Sequence, residues 1–117
     1  MAVLNYLEVP IGTSDALEAQ KAFYVESFGW NFTEYGPEYA AHEDGPCQFA
    51  FNAVEAREGR RTAAMLPLVR VDDIESARNQ VVAAGGRITE EIFDFPGGRR
   101  FHFTDPVGQE LGCYQPG

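Results

Sequence analysis

Apolar and polar positions alternate through VLNYLEVPI, residues 3–11, and the segment is rich in β-forming residues, so it predicts a strand. The period then lengthens. In TSDALEAQKAFYVESFGW, residues 13–30, Leu17, Phe23, Tyr24 and Phe28 fall near helical spacing. Asp15 followed three residues later by Glu18 makes a capping pattern, and Gly29 supplies the stop. Three short strands are expected next, around Trp30 to Tyr35, Tyr39 to Glu43 and Cys47 to Asn52, with YGPE and EDGP as the turns between them. The segment AVEAREGRRTAA breaks the pattern with charge and small residues and reads as a linker, about residues 54–63. After it the order starts again. MLPLVRV is an apolar strand. DDIESARNQVVAAGG is a helix capped from Asp72 or Asp73 and ended by Gly85 and Gly86. RITEEIFDF, RRFHFTD and QELGCYQ are three further strands, separated by PGG and DPVG.

The two halves match at a constant separation of 57 positions: Pro10 with Pro67, Asp15 with Asp72, Glu18 with Glu75, Gly29 with Gly86. Two copies at so long a period imply a duplicated βαβββ unit and not a solenoid. The expected fold class is α+β, one domain over residues 1–117, with tandem units of about 2–53 and 64–115. Each would be a mixed, curved four-stranded sheet with one helix on its outer face. Two such sheets side by side would enclose an open trough lined by the inward residues of every strand.

Composition narrows the function. At 117 residues and 44% hydrophobic content the chain has enough apolar material for a core. Aromatic residues make up 13%, enough to line a pocket as well as fill a core. The formal charge of -9, from 18 acidic and nine basic residues, sets up a field that repels a phosphate backbone, so nucleic acid is not an expected partner. No apolar run approaches the roughly 20 residues that span a bilayer, and the N-terminal segment lacks the pattern of a signal peptide. The expected location is the cytoplasm, with no membrane partner. Cys47 and Cys113 show no CxxC spacing and read as small buried hydrophobes. Arg57, Arg60 and Arg61 form one basic cluster, and Arg99 and Arg100 another. A nucleophilic triad, a P-loop and a dinucleotide fingerprint are absent; AAGGR ends a helix, whereas phosphate sites begin one.

The duplicated pattern, with AFYVESFGW closing the first helix, VRVDDIESARNQVVAAGG opening the second unit and TDPVGQEL near the end, resembles the vicinal-oxygen-chelate superfamily over nearly the whole chain. That group includes glyoxalase I, extradiol dioxygenases, fosfomycin-modifying transferases and bleomycin-resistance proteins. LEVP followed by FYVESFGW is most similar to a glyoxalase-like branch, although PIGTSDALEA is a few residues longer than is common there. The resemblance implies a divalent metal held by His, Gln or Glu from the first and last strands of each unit. Carried onto this chain, those positions fall on Tyr6 (or Val9), Leu66, Gly112 and Phe49 or Phe51. None suits a hard divalent ion, so no metal and no cofactor are expected, and Gly112 is expected to open room in the trough.

Strand alternation places Tyr6 and Glu8 on one face, Leu66, Leu68 and Arg70 on another such face, and Glu110, Gly112 and Tyr114 on the last strand's. With Arg100, His102, Phe49 and Phe51 these form the expected ligand-binding set, and Glu8 and His102 are the candidates for acid–base catalysis. Glu8 and Glu110 are equally suited to cross-strand pairing with Arg70 or Arg100. His102 is also readable as a core histidine, and His42 as an exposed turn residue. The leading expectation is a metal-independent homodimer that binds a small, partly apolar organic molecule, sequestering it as bleomycin-resistance proteins do or sensing it. Three alternatives stand beside it. One is a glyoxalase-type Zn or Ni enzyme with displaced ligands from Glu8, His102, Glu110 and His42. The others are metal-free isomerisation through Glu8 or His102, and a dimeric interaction module.

Overall fold

A computed structural model describes residues 2–53 and 65–117, so the expected linker and the Arg57, Arg60 and Arg61 cluster lie outside the described residues. The described chain runs β1 (Val3–Pro10), α1 (Ser14–Phe28), β2 (Thr33–Glu34), β3 (Tyr39–His42), β4 (Gln48–Asn52), β5 (Leu66–Arg70), α2 (Ile74–Ala83), β6 (Arg87–Phe95), β7 (Gly98–Thr104) and β8 (Glu110–Pro116). The expected βαβββ order is thus present twice, in an α+β fold. Two compact units divide the chain: one from Tyr6 to Met65, the other from Leu66 to Gly117 together with the opening of β1 as far as Asn5.

In the first unit the strand order is β2-β3-β4-β1. β1 runs parallel to β4, with Tyr6 opposite Gln48 and Val9 opposite Phe51, while β3 is antiparallel to both β4 and β2. The parallel pair is what α1 makes possible, because a crossover must carry the chain back to the starting end of the sheet. The helix is capped by Thr13, whose Oγ1 accepts from the N–H of Ala16 at 3.1 Å, and not by Asp15, which sits inside the first turn. Gly29 ends it as expected, in the left-handed conformation with its N–H donated to the Val25 carbonyl. Leu17 packs against Ala40, Phe51 and Ala53 in the core, with Val9, Tyr24, Phe32 and Phe49 around them. Each such large side chain removed from water contributes about 1.5–3 kcal/mol. Lys21 Nζ ties α1 to β2 through Glu34 at 2.6 Å and meets Glu18 at 3.1 Å; the Glu34 carboxylate is the main cause of its raised pKa.

The second unit repeats the plan as β5-β8-β7-β6. β5 is parallel to β8, and the β8–β7 and β7–β6 pairs are antiparallel. Of the two expected caps for α2, Asp73 serves, accepting from Ser76 N–H at 3.1 Å, and Gln115 Oε1 takes the Ile74 N–H at 2.8 Å. Val71, Ile74, Phe101 and Cys113 form the core beneath α2. Opposite the seven residues of β7, β6 uses nine, and the ladder slips by one residue between Ile88 and Glu90 and again between Glu90 and Phe93. At the β6–β7 turn, Gly98 has φ +138°.

The cysteines diverge from the expected pair of buried hydrophobes: Cys113 is buried, Cys47 exposed. Desolvation pushes the Cys113 thiol up to about 11. At pH 8 its thiolate fraction would be about one part in a thousand, so a thiol reagent applied to native protein should modify one cysteine promptly and the second only after denaturation. A second expectation concerns the turn. A Cβ on Gly98 would lie 2.1 Å from the Gln115 carbonyl oxygen, in a backbone conformation that side chains avoid. Gly98→Ala should therefore lower unfolding stability by at least about 2 kcal/mol in a urea titration.

Candidate functional site

Register decides which side chains share a face. In the second unit Leu68 stands opposite Gly112 and Arg70 opposite Tyr114, while Gly112, Tyr114 and Glu110 stand opposite His102, Arg100 and Thr104. Leu66, Leu68, Arg70, Arg100, His102, Glu110, Gly112 and Tyr114 therefore all lie on the face away from α2, as expected from alternation within β5 and β8 and, for Arg100 and His102, from the register of the resemblance. Cys113, Val69 and Phe101 occupy the other face, in the core under the helix. Phe93 and Phe95 join the polar face from β6, opposite Arg100 and Gly98.

At the centre of this face is a boxed cation. Arg100 is 6% exposed and His102 2%. The guanidinium carbon sits 5.3 Å from the Phe95 ring centre and 5.8 Å from that of Phe93, and Phe93 meets the His102 ring edge-on at 5.7 Å. Ring faces attract such a cation electrostatically while keeping water off it. Arg100 Nε and Nη2 point at His102 Nε2, at 3.1 and 3.0 Å. A guanidinium has no lone pair to offer, so Nε2 must be the acceptor, and the ring is neutral with its proton on Nδ1. Elsewhere on the face Tyr114 donates to Asn5 Oδ1 at 2.8 Å, and Glu110 accepts from Thr89 Oγ1 at 3.0 Å. Arg70 is exposed.

Gly112 differs from expectation. Its missing side chain does not leave open room: a Cβ there would come within 2.5 Å of Leu68 Cδ2 and 3.0 Å of His102 Cδ2. Leu68, itself 2% exposed, and the histidine ring have closed over the glycine. Glycine is what permits this approach.

In the first unit Tyr6 and Glu8 share the face away from α1 with their β4 partners Gln48 and Ala50. Glu8 is fully buried. It accepts from the Tyr39 hydroxyl at 3.2 Å, and Tyr39 is in turn hydrogen-bonded to Tyr6. Phe49 and Phe51, expected beside Tyr6, are on the opposite side. They pair with Leu7 and Val9 and pack on Tyr24 of α1. In a parallel pair, residues in register share a face, so Phe49 and Phe51 fall on the face of Leu7 and Val9 and not on that of Tyr6 and Glu8. His42 is also not a loose turn residue. It ends β3, stacked on Trp30 at 4.4 Å, with Nδ1 3.0 Å from the Asn31 carbonyl.

The donor set can now be tested against a divalent metal. The four positions indicated by the resemblance hold a phenol, a buried leucine, a glycine roofed by Leu68, and a core phenylalanine. None supplies a hard, anionic or imidazole donor. Among the described residues no three or more His, Cys, Asp or Glu side chains gather in a group that could hold an ion. These positions do not suit the metal.

Four participants escaped the sequence reading: Tyr39, Asn5, Phe93 and Phe95. Counting outward from the PGG turn would have placed Phe95 and Phe93 opposite Gly98 and Arg100. Tyr39 could have been found by pairing β3 with β4. Nothing in the sequence pointed to Asn5. The Arg100–His102 geometry has a spectroscopic consequence. In native protein labelled with ¹⁵N-histidine, His102 should show the Nδ1-protonated neutral tautomer at pH 7, and Arg100→Leu should release it to a tautomer mixture.

Comparison with known proteins agrees with this architecture. No curated protein matches the sequence. Among solved structures, one described as an NAD-dependent benzaldehyde dehydrogenase from Legionella pneumophila superposes with TM-score 0.77 at 15% identity, covering 97% of this chain and 99% of that one. Methylmalonyl-CoA epimerase from Mycobacterium tuberculosis gives 0.72 at 13% identity, covering 98% and 88%. A glyoxalase/bleomycin resistance protein/dioxygenase superfamily member from Vibrio splendidus 12B01 gives 0.62 at 16%, covering 99% and 97%. At these identities the likeness is one of fold. The sequence itself matches the Glyoxalase/Bleomycin resistance protein/Dioxygenase superfamily model over residues 9–112. The chain belongs to that superfamily.

Proposed function

We propose that this protein binds a small, partly apolar organic molecule without the divalent metal its relatives use, through side chains on the sheet faces turned away from the helices. The observation that carries the reading is the packing over Gly112, where Leu68 and the His102 ring occupy the space a metal-ligating side chain would need. What each face carries, taken by itself, suits an organic ligand: half-buried phenol rings from Tyr6 and Tyr39 in the first unit, half-buried rings from Phe93 and Phe95 in the second, and a few fixed polar groups on each. Small-molecule sites are built in this proportion. Sequestration of the ligand is the simplest activity consistent with such a set. Glu8 and His102 are the groups to which any acid–base step would fall. The proposal extends to a homodimer acting in the cytoplasm, for which the family resemblance is the support. No helix among the described residues is long and apolar enough to cross a membrane.

The metal-free reading is checked on protein purified without chelator. Elemental analysis should find far less than one divalent ion per chain, and neither EDTA nor added Zn, Ni or Mn should move the thermal midpoint. One tightly held ion per chain, lost in Glu8→Gln or His102→Ala, would overturn it in favour of a metalloenzyme with displaced ligands. Sedimentation equilibrium should give twice the 13.0 kDa chain mass.

A further inference from the structure

On its helix-bearing side the first unit carries a strip of aromatic rings that continues past the core. Phe23 meets Tyr24 edge-on at 5.0 Å, and Tyr24 stacks on Trp30 at 5.5 Å. Phe28 lies against Trp30 at 5.3 Å, and Trp30 stacks on His42 at 4.4 Å. Tyr24, Trp30 and His42 are half-buried, whereas Phe23 is 57% exposed and Phe28 62%. Phe28 therefore packs one side on Trp30 and Tyr24 and presents the rest of its ring outward. The face of such a ring attracts a cation electrostatically.

The charges around the strip select the same kind of partner. Phe28 is the last residue of α1, where the helix dipole is negative, and the last turn holds Glu26 and no basic residue. Gly29 donates its N–H to the Val25 carbonyl, but the carbonyls of Glu26, Ser27 and Phe28 receive no backbone N–H from a described residue. Residues 6–53 carry eight carboxylates and one basic side chain, Lys21, which is buried and held by Glu18 and Glu34. A second copy meeting the strip with its own would set two acidic surfaces face to face. The complementary occupant is a positively charged one.

We propose that the strip ending in Phe28 is a docking surface for a basic partner protein, and that an arginine of that partner occupies the end of α1. A guanidinium fits both parts of the site. Its plane lies on the Phe28 ring while its N–H groups donate to the open carbonyls of the helix end; a compact, strongly hydrated ammonium does this less well. Phe23 adds apolar contact beside it. The strip is on the opposite side of the first unit's sheet from Tyr6 and Glu8, so it is separate from the small-molecule site proposed above.

The probes are acetylated, amidated hexa-arginine and hexa-lysine peptides and, as a free small molecule, arginine methyl ester, each titrated into the whole protein. Trp30 is the chain's one tryptophan and packs on Phe28, so its emission reports the site. The arginine peptide should change that emission and bind about two- to fivefold tighter than the lysine peptide of equal charge. Phe28→Leu keeps apolar bulk but removes the ring, and should abolish the difference; thermal melts verify that the variant is folded. Val82→Ala, at an exposed apolar position on α2, should change nothing. Equal binding of the two peptides would overturn the proposal, as would a preference that survives Phe28→Leu. Binding of arginine methyl ester as tight as that of the peptide would overturn it in favour of a small-molecule site. A halved mass of Phe23→Ala or Phe28→Leu in sedimentation equilibrium would overturn it in favour of a second copy.

Discussion

A helix covers one face of each sheet, and that single constraint governs most of what lies on the other face. Under α1 and α2 the side chains are apolar and pack by size, as Leu17, Phe51, Ile74 and Phe101 do. On the far side the strands carry charged and polar residues that are just as deeply buried, and a buried charge is tolerated only when it is hydrogen-bonded or paired. Part of the demand is met by neighbours in the same unit. Arg100 is walled by Phe93 and Phe95 and donates to His102, and Glu8 receives the hydrogen of Tyr39. No described buried side-chain nitrogen or oxygen lacks a partner. These networks rigidify the faces and also decide which atoms can donate or accept.

Fixed donors and acceptors are what separate a binding surface from a merely polar one. A metal centre recognises its ligand through the cation's charge, and several substrates can satisfy it. Here the groups are neutral phenols, one imidazole of defined tautomer, a guanidinium and a carboxylate, each with an assigned role in its hydrogen bond. Recognition by such groups is directional and punishes a mismatched partner more than it rewards a good one. Under the metal-free reading proposed above, selectivity would rest on the direction of these hydrogen bonds and not on a cation.

Much of this was legible in the sequence. The repeat separating Pro10 from Pro67 and Gly29 from Gly86 gave the duplicated unit, simple alternation grouped Glu110, Gly112 and Tyr114, and the register of the resemblance added Arg100 and His102 to the same face. The failures have identifiable causes. Phe49 and Phe51 were assigned a face without a register, and the face of a strand is undefined until its partner is known. Gly112 was read as a vacancy because a sequence shows the side chain that is absent but not the neighbours that move over it. Asp15 has the composition of a cap, yet Thr13 stands one residue ahead of the first helical residue and takes the role. Phe93 and Phe95 become legible only once β6 is paired with β7 by counting outward from the turn.

That irregular ladder has a consequence of its own. Because nine residues of β6 lie along seven of β7, two are held as slack, released one at a time at the two slips. The first slip inverts which residues look toward Arg100 and His102, and the second restores the original parity. Loss of both extra residues would shorten the edge yet keep Phe93 and Phe95 over the guanidinium. Loss of only one would leave those rings in place, since the adjacent turn sets their register, and would turn Ile88 away from the core beneath α2. The length of this edge can therefore drift freely only in steps of two, a parity rule imposed by the pleat on any chain that keeps both the box around Arg100 and Ile88 in the core.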